Sequence, residues 1–209
     1  MTSEDIRIGI ETAAKELNSD GFAQFRLCDS CLGRLFAKVG KGFENRNRGI
    51  IARQTLGLSP LDNETDCNLC KGLTSKMDLF AELAVDAFSG WEYATFLIGT
   101  KFEPEILAAE ETIWAEVRAS QTEPIKAEFN REIGKRVEKI IGKEAEFLKP
   151  DIVAVIDTTY ESVDVQVASF YMYGRYCKLS REIPQTRWPC RECRGKGCPR
   201  CHETGKMYQ

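Results

Sequence analysis

The sequence predicts an α+β fold in which helices cover one face of a mixed sheet, with four-cysteine centres at both ends of the chain. Three observations carry this. Helical and strand periodicities follow in the order strand, helix, helix, strand, strand, strand from about residue 91 onward. Eight of the nine cysteines fall into four C-x-x-C pairs. The stretch before residue 91 is helical, and two of those pairs bracket its middle, residues 32–66.

Taken in order, Glu4 to Asn18 places Ile6, Ile10, Ala13, Ala14 and Leu17 at helical spacing, and the polar run through Gly21 ends it. Leu32 to Val39 predicts a short helix stopped by Gly40 and Gly42. Asn45 to Leu56 predicts another, with Ile50, Ile51 and Leu56 inward and Arg46, Arg48 and Arg53 outward. Ser59 to Asp66 is a polar loop, and Ser75 to Phe88 an apolar helix. Ala94 to Gly99 reads as a buried strand. Pro104 to Arg118 is a helix with proline in its first turn. Ile125 to Ile141 is a long helix with Phe129, Ile133, Val137 and Ile140 on one stripe. Asp151 to Asp157 and Ser162 to Ala168 follow as strands, the second clearly alternating. Tyr171 to Arg181 is a further strand, with Cys177 expected in the core.

A C-x-x-C turn aims two thiolates at one point, and two turns complete a tetrahedral zinc site. Cys28, Cys31, Cys67 and Cys70 form the first expected site, and Cys190, Cys193, Cys198 and Cys201 the second. All-cysteine coordination leaves no open position, so both sites are structural. The first spans 35 residues between its knuckles and would clip the ends of a helical insertion. The second has four residues between knuckles and almost nothing apolar around it, so metal must supply its stability. His202 adjoins a ligand but is expected in solvent. The compact tail is also similar to the glycine-rich knuckles of chaperone cysteine-rich domains, which leaves peptide binding as a rival. Thiol redox cycling is a second rival.

Hydrophobic residues make up 43% of the chain, enough for a core, and no signal peptide or apolar span appears. A reducing, cytoplasmic setting without membrane association is therefore expected, and there paired cysteines read as metal ligands. The net charge of −3 hides two basic islands. Residues 171–209 carry nine Lys/Arg against three Asp/Glu, and residues 26–53 carry seven against two. Such islands suit a polyanion, although cationic neighbours for a tetrathiolate centre would explain them too. Arg175, Lys178, Arg181, Arg187, Lys196 and Arg200 are the candidate phosphate contacts, with Trp188 a candidate for stacking on an unpaired base. With one histidine, no glycine-rich nucleotide loop and no Ser/His/Asp set, no catalytic residues are predicted.

Several ordered segments together resemble one family. They are Leu27 to Phe36, Cys67 to Gly72, Phe96 to Thr100, Asn130 to Lys135, Lys149 to Ile152, Tyr173 to Arg181, Ile183 to Trp188 and the final knuckles. The chain is similar to the N-terminal half of the archaeal tRNA pseudouridine synthases that act on the TΨC arm. The resemblance implies a THUMP-like RNA-binding domain over residues 91–186, an N-terminal helical zinc-binding region over 1–90 and a zinc knuckle over 187–209. It further implies tRNA as partner, uridines 54 and 55 as targets, and a catalytic domain beyond Gln209. That domain would be a separate or missing partner, without which this half is inactive; the alternative is a free-standing zinc-dependent RNA-binding adaptor.

Overall fold

The computed structural model describes residues 3–17, 24–40, 42–120, 122–169 and 187–208. It divides into two compact units, Met1–Ser169 and Phe170–Gln209. The strand expected over Tyr171 to Arg181, and Cys177 with it, lies outside the described residues.

In the first unit, β1 (Phe96–Lys101), β2 (Ile152–Asp157) and β3 (Ser162–Val167) form a sheet in that order. β1 and β2 are parallel and β2 and β3 antiparallel, so the sheet is mixed as expected. A parallel neighbour requires a long crossover. Here α5 (Pro104–Val117) and α6 (Ile125–Ile141) supply it, whereas four residues suffice for the β2–β3 turn. Register places Phe96, Ile98 and Thr100 beside Ile152, Ala154 and Ile156, then Val167, Val165 and Val163. Strand alternation thus gathers one apolar face.

That face packs on α4 (Met77–Phe88) and α6. Phe88 meets Phe96 edge-on at 5.9 Å between ring centroids, and Phe102 meets Phe129 at 5.0 Å. The Thr100 hydroxyl reaches Asn130 Oδ1 at 2.8 Å. Phe129, Ile133 and Val137 are fully buried, but Ile140 is 55% exposed. The helical phase turns Ile141 to the core instead.

The N-terminal helices extend the same core, which runs from Ile6 to Ile156. α1 (Ser3–Ala14) buries Ile6, Ile10 and Ala13. α2 (Asp29–Arg34) begins three residues before the expected Leu32, because the first C-x-x-C itself closes a helical turn, with the Leu32 N–H donating to Cys28 O at 2.9 Å. α3 (Asn45–Thr55) matches its expected span, and Ile51 and Leu56 pack on the core with Arg46 outward as expected, but other residues are turned differently. Ile50 is exposed, while Arg48 is 2% exposed and turned inward. Its guanidinium donates to the carbonyls of Val39, Gly40 and Phe43 at 2.7, 3.0 and 2.9 Å. Those loop carbonyls have no helix or strand to satisfy them, and buried acceptors must be paired.

α2 and α3 cross at backbone contact. A Cβ on Gly33 would lie 1.8 Å from Asn45 O, and one on Gly49 would lie 1.7 Å from Asp29 O. Both are backbone atoms that cannot swing aside. Gly33→Ala or Gly49→Ala is therefore expected to lower stability by about 1–3 kcal/mol or more. Urea unfolding checks this, with Gly90→Ala, whose surroundings are open, as a comparison for a positive-φ glycine alone.

Candidate metal centres and basic surface

Cys28 caps the N-terminus of α2 and Cys31 sits one turn on. Cys67 follows a 3-10 turn at Glu64–Asp66, and Cys70 precedes Gly72, whose φ of 85° lets the chain double back. The two knuckles are tied by paired bonds. The Arg26 N–H donates to Asn68 Oδ1 at 2.6 Å, and the Asn68 N–H donates to Arg26 O at 2.8 Å. All four sulfurs lie within 4.8 Å of one another. Cys28 Sγ and Cys70 Sγ are 3.7 Å apart. An ion about 2.3 Å from four tetrahedral sulfurs sets their separation near 3.8 Å, whereas a disulfide would bring two to about 2.05 Å. The quartet therefore fits a four-coordinate metal ion.

The sulfurs are also held by donors. The Cys28 N–H reaches Cys67 Sγ at 3.3 Å, and the Thr74 hydroxyl lies 3.5 and 3.4 Å from the sulfurs of Cys28 and Cys70. Hydrogen bonding with Cys28 draws the Cys67 thiol well down and that of Cys70 to about 7, while burial pushes Cys31 up.

In the second unit, β4 (Arg187–Pro189) and β5 (Lys206–Tyr208) form an antiparallel ribbon that carries the tail quartet between its strands. Cys190 and Cys198 are 3.8 Å apart through sulfur, Cys193 and Cys201 3.7 Å, and Cys198 and Cys201 3.7 Å. These are again tetrahedral edges. Backbone N–H groups of Gly197 and Cys198 donate to Cys193 Sγ and Cys201 Sγ, both at 3.2 Å. Gly205, at φ 68°, passes so close to Gly195 that a Cβ would fall 2.3 Å from its carbonyl oxygen. His202 is exposed and takes no part in the quartet. Both centres assemble the cysteines expected of them, but they differ in access. The first quartet is wholly buried, whereas Cys193 and Cys198 are half-exposed.

In the basic island at residues 26–53, Arg34, Arg48 and Arg53 are turned inward, whereas Arg26 and Arg46 stay exposed in ion pairs with Asp66 and Glu64. Arg34 is 1% exposed and lies between Cys31, Glu110 and Glu128. Its Nη2 donates to Cys31 Sγ at 3.4 Å, its Nη1 to Glu110 Oε1 at 2.5 Å, and its Nε is 3.1 Å from Glu128 Oε2. Glu110 also accepts the Ile125 N–H at 2.8 Å, at the start of α6. Burial raises the Glu128 carboxyl to about 7, with Arg34 pulling it back. Arg53 binds Asp29 and the carbonyls of Leu27 and Ser59. Of the two readings of this island, the structure supports cations serving the fold, and Arg48 and Arg53 are not the outward residues expected. Sequence reasoning missed Glu110 and Glu128, although carboxylates on the apolar faces of two helices signal a buried cation.

The tail bases are placed differently. Lys196 is exposed, Trp188 is 56% exposed, and Arg200 is ion-paired with Glu192. Arg187 lies on β4, opposite Tyr208. Arg175, Lys178 and Arg181 fall outside the described residues. No helix among the described residues is long and apolar enough to cross a membrane.

The archaeal Pus10 THUMP domain family matches residues 80–157, from within α4 to the end of β2. Similarity to curated proteins extends much further. The tRNA pseudouridine synthase Pus10 of Methanopyrus kandleri is 38% identical over 90% of this chain and 50% of its own length. The protein of the same name in Halorubrum lacusprofundi is 39% identical over 87% of this chain and 46% of its own. The chain is a relative of the N-terminal half of archaeal Pus10. That of Methanothermobacter marburgensis, 41% identical over 88% of this chain, is likewise covered over only 45% of its length. The chain thus spans about half the length of these Pus10 relatives. No solved structure matches it.

Two measurements test the centres. Metal-loaded protein challenged with a chelator is expected to release metal in two phases, the half-exposed tail first, and Cys190→Ser should abolish the fast phase. One phase for both would contradict the difference in burial. Arg34→Lys keeps charge but cannot span two carboxylates and a sulfur. It is expected to lose about 3–5 kcal/mol in urea unfolding, the scale for breaking a buried ion pair.

Proposed function

We propose that this chain is the tRNA-recognition half of a pseudouridine synthase, with zinc in both cysteine centres. The observation that carries the reading is similarity over 87–90% of this chain to proteins named tRNA pseudouridine synthase Pus10, at 38–41% identity, together with a THUMP family match. Zinc is favoured because four thiolates in a tetrahedron suit it, and it needs no redox partner. It would hold the knuckles and leave chemistry elsewhere.

Tail bases make the sequence-independent contacts: Arg175, Lys178, Arg181, Arg187, Lys196 and Arg200 to phosphates, with Trp188 stacking. Residues 91–186 act as the THUMP-like grip, 1–90 as its helical zinc-bearing support and 187–209 as the knuckle. The target is the TΨC arm, at uridines 54 and 55. Isomerisation of uridine is left to a catalytic domain outside these residues, with which they work in the cytoplasm.

The test is tRNA binding by the zinc-loaded chain at two salt concentrations, against an unrelated duplex RNA. Preferential binding that weakens with salt is expected, and Lys196→Ala with Arg187→Ala should reduce the log–log salt slope by about 2. Equal, weak binding to tRNA and duplex would refute recognition by this half. Tight binding to unfolded polypeptide instead would favour the chaperone-like reading of the knuckles. Incubated alone with tRNA, the chain is expected to form no pseudouridine.

A further inference from the structure

The tail unit contains a cleft that the motif spacing did not announce. It encloses about 240 Å³ and is lined by Trp188, Met207, Arg191, Glu192 and Arg200. Three separate pieces of chain build it. Trp188 and Met207 are direct cross-strand partners on β4 and β5, so their side chains share one face of the ribbon. Arg191 and Glu192 come from the first knuckle, between Cys190 and Cys193. Arg200 comes from the second knuckle, just before Cys201, and its ion pair with Glu192 joins the two.

The geometry points to this cleft as a stacking site for one unpaired nucleotide. It rests on the RNA-binding reading and makes it specific. Trp188 is more than half exposed, so an indole face is open to a ligand at little reorganisation cost. Guanidinium groups at the same cleft offer a phosphate two-pronged partners. The volume falls below the roughly 300–1,000 Å³ of sites that swallow drug-sized molecules, which suits a single base better than a folded element. Charge favours an anion as well. Residues 187–208 carry six Lys/Arg and two Glu, so the unit stays positive even around a formally dianionic metal tetrathiolate. A duplex presents no free base face, so the site selects unpaired segments.

The cleft is also a product of the metal centre. Its residues sit beside ligands on both knuckles, and the ribbon closes through the Cys190 N–H donating to Gly205 O at 2.8 Å. Among the described residues of this unit, 187–208, the ion is what would hold the indole and the arginines together.

The test uses the full metal-loaded chain in a Trp91→Phe background, so that the emission of exposed tryptophan reports on Trp188. Short single-stranded oligoribonucleotides are expected to quench it, and a duplex of equal length is not. Trp188→Ala should weaken tRNA binding about tenfold without changing its salt slope, and Trp188→Phe should recover most of that loss. Arg191→Ala should weaken binding and lower the slope by about 1. Metal content of each variant, measured alongside, shows that the knuckles have formed. If the wild-type chain binds tRNA but metal-loaded Trp188→Ala binds equally well, the cleft is not the site and the broader reading stands. If duplex quenches as strongly as single strands, selection of unpaired bases is wrong. Failure of the wild-type chain to bind tRNA at all overturns both readings.

Discussion

The buried guanidinium of Arg34 is the interaction on which the first unit depends. It sits one helical turn beyond Cys31, so the geometry of the C-x-x-C helix fixes where it can reach. Its partners come from elements far apart in sequence: a sulfur of the first cysteine quartet on α2, and carboxylates on α5 and α6. A lone charge at this depth would be prohibitively costly, and two carboxylates without it would be equally so. The three groups are therefore tolerable only together. Because Glu110 also accepts the N–H of Ile125, the same network sets where α6 begins, and α6 packs under the sheet. The first cysteine quartet and the α5–α6 crossover are thus halves of one construction.

This explains why basic residues of similar abundance serve opposite ends. Near the first quartet, Arg34, Arg48 and Arg53 run inward, because the loops there leave carbonyls and a sulfur that need donors. Arg48 closes the turn at residues 39–43, and Arg53 staples Leu27 and Ser59. In the tail, Arg191, Arg194 and Lys196 are all exposed. The first centre organises a core; the second organises a surface. A cluster of four cysteines is common to both, and the difference lies in what the intervening chain can bury.

The sequence made much of this legible, for physical reasons. Cysteine spacing fixed both quartets, since ligand geometry is local. Helix α6 was readable end to end because Pro124 and Gly142 bound a long stripe. Faces were harder. On α3, aliphatic Ile50 was expected inside, yet the close crossing at Gly33 and Gly49 puts small residues at the contact and sends Ile50 outward. Periodicity cannot reveal a backbone-to-backbone approach. Nor could the helical start at Asp29 be seen in a pattern read from Leu32. The Arg34 network joins residues 76 apart, and only the unexplained carboxylates at Glu110 and Glu128 hinted at it. The tail cleft was invisible because it depends on ribbon register, although Trp188 and Arg200 had been singled out individually.

The central claim is that the first metal centre and the α5–α6 crossover are mechanically one. Amide hydrogen exchange on metal-loaded and metal-stripped chain tests it most directly, read at Ile125, whose N–H is held by Glu110. Loss of protection at Ile125 together with residues 28–34 on metal removal is the result this account predicts. If residues 28–34 open while Ile125 stays as protected as before, the crossover stands without the metal centre and the account is wrong.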